Sequence, residues 1–139
     1  MWSARPTSTP EGGDGENPDL AALAVDGDTD TAWGTETYRT PAFGGGKSGV
    51  GIELTLAADA DVSSIEVTAT DASWSAHIYV GAGGAESLAA WGPVLASGDD
   101  LGRSARFAID PSVRGSAVLI WLTRLPDSGR LEITEVRIG

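Results

Sequence analysis

The segment GVGIELTL at 49–56 sets Val50, Ile52, Leu54 and Leu56 against Gly51, Glu53 and Thr55. A strict period of two puts every second side chain on one face of an extended chain, so this segment must be a strand with one buried and one wet face. Short runs of the same kind recur along the chain: VSSIEVTA (62–69), WSAHIYV (74–80), a stretch around LAAWGPVLA (88–96), ARFAI (105–109), AVLIWLT (117–123) and LEITEVRI (131–138). Gly, Asp, Ser and Pro punctuate them, as turn-forming residues do between strands. The acidic link AADAD between the first two predicts a hairpin. The only helix-like stretch is the turn or two in PDLAALA (18–24). Seven short strands without helical crossovers predict an all-β fold, an antiparallel β-sandwich or jelly roll.

At 139 residues and 41% hydrophobic content the chain suits one domain with one buried core. Residues 1–18, MWSARPTSTPEGGDGENP, show no apolar period and are rich in Pro, Gly, Ser, Thr and acid, so they read as a solvated tether carrying one large apolar residue, Trp2. Nine basic residues against twenty acidic ones give a net charge of -11, a field that repels phosphate backbones and anionic head groups. Nucleic acid is therefore not an expected partner. The longest apolar run, AVLIWL at 117–122, is far short of the roughly 20 residues that cross a bilayer, so the domain itself is not expected to insert in a membrane. The absence of cysteine excludes disulfides and thiolate chemistry and leaves the redox compartment open.

Few motifs carry chemistry. DGDTDTAW (26–33) places Asp26, Asp28 and Asp30 where an EF-hand has its first three ligands, but Thr31 stands where that loop needs Gly and Thr37 where it needs a bidentate Glu. Three readings remain: another kind of calcium loop, a polar turn whose tryptophan plugs the core, or one side of a ligand pocket. GGGKSG (44–49) lacks the first glycine of a phosphate loop, since Pro41 occupies that position, and a strand follows it where a helix should. His77 is the single histidine, lies within a strand pattern and has no nucleophile-elbow serine to serve. No spacing marks a carboxylate pair, and the chain is not expected to be an enzyme.

The tryptophans sort by context. Trp121 lies inside the continuous apolar run and Trp33 closes the acidic turn, and both read as core. Trp74 and Trp91 sit among Ser, Ala and Gly, where a ring serves either packing or a platform for a sugar face. The long segment TETYRTPAFGGGKS adds Tyr38 and Arg39, an aromatic face beside a guanidinium that suits a saccharide or a carboxylated muropeptide. Tyr38, Arg39, Trp74 and Trp91 are the candidate ligand-binding residues.

The order AVDGDTDTAW, then KSGVGIEL, then VLIWLTRLPDSG and a terminal ITEVRIG resembles the galactose-binding-like, discoidin-type jelly roll of coagulation-factor C domains and many carbohydrate-binding modules. The resemblance covers residues 17–139 and leaves 1–16 as a flexible linker. Within that fold the chain resembles the extracytoplasmic C-terminal domains of actinobacterial membrane proteins of the murein-virulence-factor (lipid II flippase) type, which contain a pseudokinase-like segment. The resemblance implies a structural calcium held by the Leu23 carbonyl, Asp26, Asp28, Thr31 and Glu135, pinning the acidic turn to the last strand. It also implies a non-catalytic, extracytoplasmic binding module tethered to a membrane protein, with a cell-wall glycan or peptidoglycan precursor as ligand. The alternative is a protein-interaction or spacer domain with no small ligand.

Overall fold

The computed structural model describes residues 3–7, 32–34, 50–81, 93–127 and 129–139. These form seven strands: β1 (Ser3–Thr7), β2 (Trp33–Gly34), β3 (Val50–Ala69), β4 (Trp74–Gly81), β5 (Ala96–Leu101), β6 (Ser104–Arg124) and β7 (Glu132–Ile138). Every pairing is antiparallel, the strand order is β2-β7-β3-β6-β4-β5, and β1 adds to β3. The expected all-β antiparallel jelly roll is the observed fold. The helix-like turn expected at 18–24 lies outside the described residues.

Several boundaries differ from the sequence reading: 105–109 and 117–123 are parts of one strand, β6, and in place of the strand expected around 88–96, β5 begins only at Ala96 and runs to Leu101. The segments 49–56 and 62–69 are not the arms of a hairpin but the two halves of one strand, β3, which pairs along its length with an equally long β6. The register slips between Thr55 and Ala60 and again between Val62 and Ser64, where the β3–β6 ribbon turns its corner. Before the corner β3 lies beside β1 and the C-terminal half of β6; after it, β3 lies beside β7 and the N-terminal half of β6. Bulges let a ribbon bend from one layer into the other while staying paired. Ser3–Thr7, expected within a linker, is instead strand β1, registered from Ser3 opposite Thr55 to Thr7 opposite Gly51. Its Pro6 is tolerated because β1 is an edge strand.

Both halves of the ribbon face one core. Ile52 and Leu54 before the corner, Ile65 and Val67 after it, and Ile78, Ile120, Leu122, Ile133 and Trp33 all belong to one buried cluster. Trp33 is fully buried, so the tryptophan that ends the acidic turn is a core residue. Trp121 is buried too, but on the opposite face of β6, in a second cluster with Tyr79, Ala117 and Leu119. That is why AVLIWL shows no polar alternation: 118, 120 and 122 fill the main core and 117, 119 and 121 the other face. Burial in this second cluster raises the Tyr79 phenol above its ordinary pKa. Gly51 lies opposite Trp121, where a Cβ would run into the Ile120 carbonyl oxygen and press on the Trp121 ring.

Candidate functional site

Register fixes which connections share an end of the sandwich. Ala69 and Trp74 are joined by four residues; Trp74 pairs with Leu101, Ser75 with Arg124, Ala69 with Ile133 and Gly34 with Glu132. One end therefore collects residues 70–73, 102–103, 125–127 and 129–131, together with Gly34 and Val50, the flanks of the segment that holds Tyr38 and Arg39. The turn is laced by backbone bonds from Ala69 N–H to the Arg103 carbonyl, Thr70 N–H to that of Glu132 and Ser73 N–H to that of Leu101. Gly81 and Ala96, which bracket the connection holding Trp91, lie at the far ends of β4 and β5. Tyr38, Arg39 and Trp91 themselves lie outside the described residues, but the flanks of their segments leave the sandwich at opposite ends.

Trp74 is not a surface platform. Its ring is fully buried in the main core and its indole N–H donates to the Gly102 carbonyl at 2.9 Å. A buried indole needs that partner, and the anchor ties the start of β4 to the β5–β6 turn.

At this end lies an open cleft of about 430 Å³ lined by Ser73, Ser75, Asp99, Asp100, Arg124 and Asp127, none of them singled out by the sequence reading. Its walls are shaped by irregular backbone. Two β4 steps, from Trp74 to Ala76, face three β5 steps, from Leu101 to Gly98, and this bulge contains Asp99 and Asp100. Ser73 (φ 69°) and Asp100 (φ 51°) occupy the left-handed region that non-glycine residues avoid, a form of strain that clusters at functional sites. Beside Gly34, Arg130 and Glu132 form an ion pair of 3.0 Å. The Arg130 guanidinium lies where a Gly34 side chain would begin, so glycine is what lets it close over β2.

Of the expected calcium ligands, Leu23, Asp26, Asp28 and Thr31 lie outside the described residues. Glu135 is in β7 and 8% exposed, although its register partner Thr68 is open to solvent. A bulge at this point, with Thr134 as the extra residue and its hydroxyl donating to the Thr68 carbonyl at 3.1 Å, sets the direction of Glu135. The Glu135 Oε2 atom is buried and makes no hydrogen bond among the described residues. Such an orphaned carboxylate oxygen is costly and calls for a cation or donor. The described end of the acidic turn meets the same strand, since Trp33 pairs with Ile133, two residues from Glu135. The donor set of carboxylates, a carbonyl and a hydroxyl is all hard oxygen, which fits calcium. Among the described residues alone, no group of three His, Asp or Glu side chains converges on a metal position.

Comparison with known proteins bears on the fold. No protein-family model matches the chain, and no curated protein matches it in sequence. Solved structures do. The family 32 carbohydrate-binding module of Clostridium perfringens NanJ, solved with galactose, is similar at a TM-score of 0.67 and 19% identity, over 99% of this chain and 92% of that one. The family 32 module of AlyQ, solved with 4,5-unsaturated mannuronic acid, matches at 0.68 and 15% identity over 100% and 98%. A chitosan-binding module from Paenibacillus sp. IK-5, solved with chitotriose, matches at 0.69 and 16% identity over 98% and 94%. The family 89 glycoside hydrolase of C. perfringens also matches, at 22% identity, but this chain spans only 14% of it. The architecture is thus that of the galactose-binding-like jelly roll.

Proposed function

We propose that this domain is a non-catalytic carbohydrate-binding module that reads its ligand at the end of the sandwich carrying the Ser73–Asp127 cleft. The observation that carries this reading is the match over nearly the whole of both chains to modules solved with sugars, joined to a polar cleft at an end built of connections. Connections on a rigid scaffold are where such folds place binding groups. The finer reading is that the domain lies outside the cytoplasm on a membrane protein of the murein-virulence-factor type. There it recognises a cell-wall glycan or peptidoglycan precursor, with Tyr38 and Arg39 contributing from the segment between Gly34 and Val50. Calcium, held by Leu23, Asp26, Asp28, Thr31 and Glu135, has a structural role, supported by the orphaned Glu135 oxygen.

A second reading, a protein-interaction or spacer domain, draws on one observation: among the described residues no aromatic ring is exposed, and Val94 is the only large apolar side chain in the open. NMR titration of the labelled domain with muropeptides and simple sugars, in calcium and in chelator, separates the two. Saturable shifts at Ser73, Asp100 and Asp127 are expected for the module, and a flat response to every sugar establishes the spacer.

A further inference from the structure

The connection between β6 and β7 is anchored at both roots and meets a different neighbour on each side. Leu125 and Leu131 are fully buried in the main core and fix where it leaves and re-enters the sandwich. Between them the Gly129 N–H donates to the Pro126 carbonyl at 2.8 Å, and Gly129 takes a left-handed φ of 78°, which closes a tight turn. On one side of this turn Asp127 lines the cleft. On the other, Arg130 lies over β2 and bonds Glu132, the residue directly opposite Gly34, at 3.0 Å.

Gly34 shows what this contact demands of the sequence. β2 is only two residues long, and a glycine within it forgoes the side-chain packing that helps hold a strand to its neighbour. Gly34 is not in the left-handed region, so its backbone conformation does not itself require glycine. What stands in the way of a side chain is the Arg130 guanidinium, whose Nη2 lies 2.6 Å from where a Cβ would be, with the Glu132 Cγ at 3.2 Å. The gain in global stability is small, because the two partners are 39% and 38% exposed and ion pairs in such settings contribute little. A strand that gives up packing for a contact of this kind gains placement, not stability.

We propose that Arg130 and Glu132 are positioning residues of the ligand site, an inference that rests on the carbohydrate-binding reading above. By closing over Gly34 they fasten β2, from which the segment with Tyr38 and Arg39 departs, to the connection that carries the Asp127 wall of the cleft. The sugar then meets two walls already held at a fixed spacing, and less ordering remains to oppose binding. Neither side chain needs to touch the sugar.

The test is amide hydrogen exchange of the whole chain together with NMR titration by galactose, chitotriose and a soluble muropeptide, on the parent, Gly34→Ala, Arg130→Ala and the double variant. Gly34→Ala displaces the guanidinium and Arg130→Ala removes it. Each should speed exchange at Gly34 and Asp127 and weaken whichever of the three sugars the parent binds by roughly twofold to tenfold, with melting curves little shifted. In the double variant Gly34→Ala should add nothing to Arg130→Ala, because the guanidinium it displaces is already gone. Arg114→Ala breaks the exposed pair with Asp61 at the corner of the β3–β6 ribbon and changes the net charge by the same amount, and it should leave exchange and affinity as they are. Unchanged exchange at Gly34 and Asp127, or additive losses in the double variant, would overturn the proposal. An equal loss in Arg114→Ala would overturn it in favour of a net-charge effect. Faster exchange with unchanged sugar affinity would overturn the positioning role and leave the carbohydrate-binding reading standing. If none of the three sugars binds the parent, both fall.

Discussion

Trp74 has an indole N–H bonded to the Gly102 carbonyl and a ring sealed in the core. Replacing it tests packing, not ligand contact. Trp74→Ala should cost about 3–5 kcal/mol of unfolding free energy through lost burial and a cavity. Trp74→Phe should cost less, keeping most of the ring and losing a hydrogen bond whose net contribution is about 1 kcal/mol. Urea unfolding of both variants checks the order; a Trp74→Ala domain with unchanged stability but weakened sugar binding would return the ring to the surface. The alternation of Trp74, Ala76, Ile78 and Val80 in WSAHIYV already puts Trp74 on the buried face of β4, while the small polar Ser73 and Ser75 beside it are what suggested a platform. What buries Trp74 is β5 and the turn after it, 28 residues away along the chain. Trp33 was legible because an acidic turn ending in a lone large ring has few other uses for it. The cleft was not, because Asp99 and Asp100 look like any polar turn until a bulge and a left-handed backbone turn them toward Ser75 and Asp127.

The strands themselves follow from the period of two; their continuity does not. AADAD and the Asp-Pro-Ser stretch at 110–112 each have turn chemistry, and each marks a corner of one ribbon because the other bends with it. Turn residues announce that a chain changes direction, not whether its two flanks pair with each other or share a partner. The first strand was hidden for a different reason. SARPT has no β-branched run and contains a proline, and an edge strand with one neighbour accepts both. Pairing β1 satisfies the outer edge of β3 from Gly51 to Thr55. Removing residues 1–7 should therefore destabilise the domain by on the order of 2 kcal/mol or more, since each backbone hydrogen bond contributes about 0.5–1.5 kcal/mol net. It should also expose a strand edge that promotes self-association. Urea unfolding together with light scattering reads both effects; a truncated chain as stable and as monomeric as the parent would show that β1 contributes nothing to the fold.

Twenty acidic residues against nine basic ones make cation binding a property of the molecule as a whole, and this makes a specific calcium site hard to tell from general screening. Glu135 offers the discrimination. Its carboxylate is buried with one oxygen unpartnered among the described residues. Without an ion, a buried charge of this kind weakens the fold, so Glu135→Gln should melt at or above the parent temperature in chelator. With calcium the order should invert. A ligand at 100 times its dissociation constant adds about 2.7 kcal/mol to the parent, a rise of roughly 10 °C in Tm for a domain of this size, and the variant should lose most of it. Screening by a monovalent salt at matched ionic strength raises both proteins alike and inverts nothing. If the parent melts identically in calcium and in chelator, Glu135 holds no calcium, β2 stays on β7 through its backbone pairing and the packing of Trp33, and the glutamate oxygen finds its partner elsewhere in the chain.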